Sequence, residues 1–261
     1  MNIAQAIDIY GGGKGSGCNP EVAEPKCGRP SQKEHMTGKR RPKSIKVSNI
    51  DEALLLIDQG KVVEFGSTNE VHTLLKRLAT MANEAKAAGK EAKNYDLCNV
   101  TVKGTNLFCH KSLGIPRIRM PQFEGTPVAG SDAEKLEKND EGKVNGAKAF
   151  QDFIKTQGIK ITKGSVKAAH LRASQKQLIG SKIAKMTVSD WDISSSPIFV
   201  SRDNYVIDGH HRWAAIVGRD AEDGSLGELK VNVIRIDAPI AEVLKIANKW
   251  TKKFGIKSVG A

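Results

Sequence analysis

Aromatic residues are scarce in this chain of 261 residues: seven Phe, three Trp and three Tyr make up 5%. Hydrophobic residues in total reach 39%. A chain of this length has room for one large core or two small ones, but the modest apolar share implies that part of it stays unpacked. No apolar run approaches the ~18 residues of a membrane span, so no membrane-spanning helix is expected. The first ten residues are too short for a signal peptide and carry Asp8. A reducing cytoplasm is therefore the expected location. Cysteine is limited to Cys18, Cys27, Cys98 and Cys109. No two of them have the two-residue spacing of a zinc knuckle, and Cys109-His110 has no second such pair at a usual distance. All four are expected to be ordinary thiols.

Acidic residues are the other shortage. The net charge is +12 and unevenly spread. Residues 1–46 hold nine Lys/Arg against four Asp/Glu, and residues 155–185 hold eight Lys/Arg and no acid. Such stretches attract phosphate-rich partners through counterion release, although a basic tail alone is equally well explained as a solvated surface. In the second stretch Lys163, Lys167, Arg172 and Lys176 are candidate nucleic-acid contacts.

Residues 1–45 read as a disordered basic tail. Gly11-Gly12-Gly13-Lys14-Gly15-Ser16-Gly17 is a linker composition. It lacks the spacing of a P-loop, and no strand precedes it. Residues 46–140 read as a small α/β region, either completing the main fold or forming a partner-binding module. Ser48 or Asn49 caps a helix over 51–59 that stops at Gly60. A strand follows at 62–65, then a helix over 68–88 with Val71, Leu74, Leu75, Leu78 and Met81 on one face. Residues 97–102 and 107–109 suggest a hairpin. Residues 114–140 are rich in Pro, Gly and charge and read as a long loop, of a length usually functional or disordered. Arg117 and Arg119 lie on it, where they can cross a site.

Residues 141–261 are more legible. A helix is expected over 146–156 with Asn145 as its cap, and another over 175–186 capped by Ser174. Strands at 197–201 and 205–208 precede a helix that runs from Gly209 through 217. A strand over 230–236 leads to a final helix opened by Pro239, with Ile240, Val243, Leu244, Ala247 and Trp250 in one stripe and Gly255 at its end.

Asp208-Gly209-His210-His211-Arg212 falls where a strand ends and a helix begins. A helix start offers free N–H groups and the positive end of its dipole. Gly209 permits a tight turn and close approach of a ligand. Arg212 can fork onto a phosphate. His210 and His211 can donate to oxygen, bind a metal or move a proton near neutral pH. Asp208 can orient a histidine or hold a divalent cation. The bland alternative is that Asp208 caps the helix and the histidines are half-buried polar residues. Four phosphate-competent side chains around one glycine favour a ligand site.

Val206-Ile207-Asp208-Gly209-His210-His211-Arg212-Trp213-Ala214-Ala215 resembles the DGHHR signature of ParB-like domains. The run from His170 to Gly180 with Pro197-Ile198-Phe199-Val200-Ser201 resembles the opening of the same domain. The resemblance implies an α+β chain: a ParB/sulfiredoxin-like domain with a small mixed sheet flanked by helices, in which Ser174 and Gln175 face the phosphate turn. The glycine–glutamate–arginine and cysteine-bearing turns of partition proteins and sulfiredoxins are absent. The stretch 95–122 with the Gly-rich tail is similar to ParB-like proteins of tailed bacteriophages, so a host cytoplasm or a virion is the implied setting. The family implies nucleotide or nucleic-acid phosphate chemistry. One reading is a DNA nuclease or phosphodiesterase, with Asp208 on a Mg²⁺ or Mn²⁺ ion, His210 or His211 moving protons and Arg212 on the scissile phosphate. A second is an NTPase or small-molecule kinase whose bound nucleotide lies on the same turn. A third is a non-enzymatic DNA-binding or virion-associated protein. Kinase-type relatives use an acidic base outside the signature, for which Glu52, Glu64 and Asp190 are candidates.

Overall fold

In a computed structural model, residues 43–103, 105–193 and 197–257 are described. The tail expected over 1–45 lies outside them except at its last residues. There Ile45–Lys46 (β1) already pairs in parallel with Val63–Phe65 (β2), so regular structure begins a few residues before Ser48.

From Ser44 onward the chain is one compact unit, a mixed α+β arrangement of six α-helices and several small sheets among the described residues. Helix α1 (Ile50–Asp58) is capped by Asn49, whose Oδ1 accepts from the Asp51 and Glu52 N–H groups at 2.8 and 3.2 Å. Helix α2 (Thr68–Ala87) opens on a capping box between Ser67 and Glu70. Its apolar stripe of Val71, Leu74, Leu75 and Leu78 is buried. Strand β3 (Val100–Val102) adds to β2 in parallel, and β4 (Thr105–Asn106) closes this four-stranded sheet. The hairpin is therefore shorter than the sequence suggests, and its return strand lies at 105–106, with the expected 107–109 forming a turn instead. Its return strand ends at Asn106, because Asn106 Oδ1 turns back to accept from the Phe108 and Cys109 N–H groups.

The second sheet has the order β7-β11-β9-β10-β8, built from Ile161–Lys167, Lys230–Ile236, Ile198–Ser201, Tyr205–Asp208 and Arg172–Ala173 respectively. Strand β7 pairs with β11 along its whole length, yet its own sequence does not announce it. Being an edge strand with five exposed residues, it lacks the apolar alternation that marks a strand. The central strands alternate: Ile198, Val200, Val206, Val231 and Val233 enter one hydrophobic cluster, and Phe199, Ile207, Ile234 and Ile236 enter another. The first cluster is covered by α1, α2, α4 (Gly180–Val188) and α5 (His210–Asp220). The second is covered by α3 (Ala147–Thr156) and α6 (Ile240–Phe254). The scarce aromatics concentrate here, with the Phe123 and Phe150 rings each in contact with Phe199, Trp250 and one another. Because α1, α2 and β1–β3 share the first cluster with the larger sheet, residues 46–140 are packed into the same body as the rest. Most of the long loop at 114–140 is irregular, but Glu124–Gly125 (β5) pairs with Val144–Asn145 (β6).

Two expectations need correction. Ser174 does not cap a helix. The chain from Gln175 to Ile179 is extended, making bridges from Gln175 to Ile115 and from Ile179 to Asp96, and α4 begins at Gly180. Tertiary pairing with two loops outcompetes the helical pattern there. Gly180 is the pivot: a Cβ at this position would lie 2.6 Å from the Tyr95 carbonyl oxygen, closer than backbone allows. Gly180→Ala should destabilise the protein by about 1–3 kcal/mol, read as a lower urea midpoint; an unchanged midpoint would show that the two segments separate freely.

Cys98 and Cys109 are the second correction. They are not independent thiols but a disulfide, 11 residues apart, with Cα atoms 5.2 Å apart. Cys18 and Cys27 lie outside the described residues. A bridge over so short a loop contributes roughly 2–3 kcal/mol. Denaturation with and without reductant should differ by that amount, and Cys98→Ser should abolish the difference. Superimposable curves for the parent would show that no bond forms.

Candidate functional site

Strand β10 reaches the motif through a β-bulge: Val206 faces Val200, but Asp208 faces Phe199, so Ile207 is the extra residue. Bulges bend a strand and re-aim the side chains beyond them. Gly209 follows at φ 92°, ψ 21°, in the left-handed region where glycine carries no Cβ penalty. A Cβ there would press within 3.2 Å of both Arg212 Nη2 and Ile198 Cγ1. The first helical residue of α5 is then His210. Arg212 lies one turn on, with its Nη2 3.3 Å from Asp208 Oδ2. These two side chains keep 30% and 35% of their surface open to solvent. Burial of the turn pushes the Asp208 carboxyl above its usual range, with Arg212 pulling the other way and Glu124 adding to the rise.

The histidines lie deeper. His210 is 5% exposed. The Ser174 N–H donates to its Nε2 at 3.2 Å, which assigns the lone pair to that nitrogen. Ser174 Oγ is 2.9 Å from the same atom and donates to the Val206 carbonyl at 2.6 Å. His211 Nε2 likewise accepts from the Ile179 N–H at 3.2 Å. Both imidazoles are thus neutral, with Nε2 committed to backbone. Their pKa values fall to about 3: burial dominates for both, followed by His211 and then Arg117 for His210, and by Arg117 and then Lys182 for His211. In this setting they do not exchange protons near neutral pH. They act as rigid uncharged groups that tie α5 to the extended 174–179 segment.

Two cations complete the site. The loop at 112–115 is strapped to the 173–176 segment: Leu113 and Ile115 N–H donate to the Ala173 and Ser174 carbonyls, Lys176 N–H donates to that of Ile115, and Ser112 Oγ donates to that of Gln175. Arg117 follows two residues later, half-buried, its charge acting on His210, His211 and Lys182. Lys182 sits in the first turn of α4. Desolvation lowers the pKa of both cations, and Arg117 and Lys143 depress Lys182 further. Neither takes part in any ion pair among the described residues. Neither α4 nor α5 has an acid in its first turn. Cations at the positive end of a helix run against the macrodipole preference. Here both helices do so: Asp208 offsets Arg212 on α5, whereas Lys182 on α4 enters no ion pair among the described residues.

The other expected residues are distributed as follows. Ser174 stands against His210. Gln175 is buried and donates through Nε2 to the Gln177 carbonyl at 2.7 Å, bracing its own loop. Arg172 is on β8 and Lys176 follows the strap. Lys163 and Lys167 are on β7, at the opposite edge of the sheet, four strand spacings or about 19 Å away. The four basic residues therefore do not form one track. Among the acids considered, Glu52 is on α1, Glu64 on β2, and Asp190 borders a different cavity beside His72. Glu124 on β5 is exposed, and its charge is the weakest of the influences that move the Asp208 carboxyl. Among the described residues no group of three or more His, Cys, Asp or Glu is arranged to hold a metal, and no helix is long and apolar enough to cross a membrane. Comparison with protein-family models, curated proteins and solved structures gave no match.

Proposed function

We propose that the protein is a phosphate-ester enzyme of the ParB-like kind that binds the phosphates of a nucleotide at the Gly209 turn and hydrolyses or transfers the terminal one. The observation that carries this reading is the Asp208–Arg212 turn at the start of α5, beside two cations, Arg117 and Lys182, that bear on its histidines and form no ion pair among the described residues. Phosphoryl transfer needs chiefly positioning and stabilisation of charge, which such a cluster supplies. Arg212 forks onto one phosphate while the open N–H groups of α5 face it, and Arg117 and Lys182 hold the next. A water or hydroxyl oxygen attacks the terminal phosphorus, the bond to the bridging oxygen breaks, and that oxygen leaves with the electron pair. Glu124, whose charge acts on Asp208, is the proposed acceptor of the attacking group's proton. A Mg²⁺ or Mn²⁺ ion brought in by the phosphates would find Asp208 as its protein ligand, since such ions use one or two carboxylates beside phosphate, and would add Lewis acidity. A DNA phosphodiester as substrate is the second reading, favoured by the acid-free 155–185 stretch. Of its basic residues Lys182 is assigned to the turn, but Lys163 and Lys167 lie on one edge strand and Arg172 on the other. A bacteriophage setting remains part of the proposal through sequence resemblance alone.

The purified protein, incubated with a nucleotide panel and with plasmid DNA, with and without Mg²⁺ or Mn²⁺, should release phosphate from a nucleotide or transfer it. Glu124→Gln should retain binding and lose turnover at least a hundredfold. Metal-dependent nicking of plasmid without nucleotide turnover would favour the diesterase instead. Identical behaviour of the parent and Arg212→Ala in every assay would make the turn purely architectural.

A further inference from the structure

A second anion-binding feature lies at the other end of the β8/β10 pair. These strands run parallel, with Arg172 opposite Tyr205 and Ala173 opposite Val206. Their C-terminal ends carry Ser174 and Asp208 into the turn. At their N-terminal ends is a cavity of about 390 Å³ lined by His110, Lys111, His170, Arg172, Asn204 and Leu107, among others, with no Asp or Glu in its wall. Leu107 and Ala169 give it a small open apolar edge, while Phe108, Leu171 and Trp213 lie buried behind it. The Arg172 guanidinium lies over the Tyr205 ring, 5.8 Å from its centroid, and Tyr205 Oη donates to the Lys111 carbonyl at 3.3 Å. Arg172 and Lys111 enter no ion pair among the described residues.

The wall is held rather than loose. Lys111 and Asn204 are two of the three non-glycine residues with positive φ among the described residues, at 55° and 67°. Such backbone persists only where surrounding structure enforces it, and it clusters at binding sites. The Cys98–Cys109 bridge ends one residue before His110. The result is a concave, fixed, acid-free pocket with cationic groups on one side and apolar groups on the other.

We infer that this pocket seats one nucleotide of a single-stranded nucleic acid, its phosphate on Arg172 and Lys111 and its base against the open apolar edge at Leu107 and Ala169. A concave site of this volume takes one splayed nucleotide, whereas a duplex presents its phosphates on a convex surface that cannot enter. Single-strand binders combine this pairing of cations with apolar or aromatic surface. The pocket uses none of the residues assigned to phosphate binding at Gly209, so the two sites can be separated experimentally.

The test is fluorescence anisotropy of the full chain with a labelled 15-nucleotide single strand, in DNA and in RNA form, against a duplex of the same length. The single strand should bind at least tenfold tighter than the duplex at low salt. Lys111→Gln and Arg172→Gln should each weaken it about tenfold, and together they should flatten the slope of log K against log salt by about 1.4, at about 0.7 per phosphate contact. Arg172→Gln also removes a ring contact, so the exposed Lys111→Gln decides the matter if the first variant is unstable. Lys111→Gln should leave nucleotide binding at the Gly209 turn within twofold. Absence of single-strand binding, equal affinity for duplex, or full binding by Lys111→Gln overturns the assignment, whatever the outcome at the turn.

Discussion

Arg117→Ala and Arg212→Ala will each weaken nucleotide binding by about tenfold to a hundredfold, the loss of about 1.5–3 kcal/mol typical of a hydrogen bond to a charged group. Arg212→Lys will recover only part of the loss, because an ammonium cannot make the two parallel bonds of a guanidinium. The two positions should differ in stability. Arg212 offsets the Asp208 carboxylate, so its removal leaves a half-buried acid without its partner. Arg117 has no such partner and bears on His210, His211 and Lys182. Its removal relieves its repulsion of Lys182, so Arg117→Ala should melt no lower than the parent while binding poorly. Isothermal titration with a nucleoside triphosphate and Mg²⁺, beside a thermal melt, reads both quantities. A variant that loses stability and keeps its affinity would show that Arg117 is structural.

Acid should unfold this protein early, and phosphate should protect it. His210 and His211 have folded-state pKa values of about 3, against about 6.5 in an unfolded chain. Between those limits the unfolded state binds more protons, so stability rises with pH through the window and is lost as pH falls from about 6.5 toward 3. At pH 5 the loss is about 2 kcal/mol for each histidine, since 1.5 pH units below the unfolded value correspond to about that much. An anion on the cationic cluster favours protonation of both imidazoles. It should therefore raise their pKa values and flatten the dependence. Urea midpoints from pH 7.5 to 4.5, with sulfate at matched ionic strength as an anion control for phosphate, will show the slope. His211→Gln should remove about half of it. A midpoint independent of pH across this range would mean that the imidazoles are accessible and charge freely.

Several parts of the fold are legible because a local signal and the tertiary environment agree. Asn49 ahead of an apolar run, Ser67 with Glu70, and the stripe from Ile240 to Trp250 specify helices that packing then uses on the same faces. The alternation in β9 to β11 matches a sheet buried on both sides. The Asp208-Gly209 turn into a helix is legible for the same reason: its glycine must adopt positive φ, and the helix that follows carries its own apolar pattern. Strand β7 is not legible, since an exposed edge strand needs no apolar face. The helix expected from Gln175 fails because the segment's backbone groups are claimed by Ile115, Asp96 and Tyr95, all distant in sequence.

The site shows the same division. Lys182 had a signal that passes unnoticed in a count of charges, a lysine in a helix's first turn where an acid is favoured. Glu124 had none, being one acid in a loop. By itself the sequence determined the turn, the helix behind it and the identities of Asp208, the two histidines and Arg212, because those depend on neighbours within a few residues. Only the tertiary structure decided that the histidines are neutral and locked, that Arg117 and Lys182 bear on them while Lys163 and Lys167 stand on the far edge, and that Cys98 meets Cys109. Each of these follows from burial or from pairing between segments far apart along the chain, which no local pattern of residues encodes.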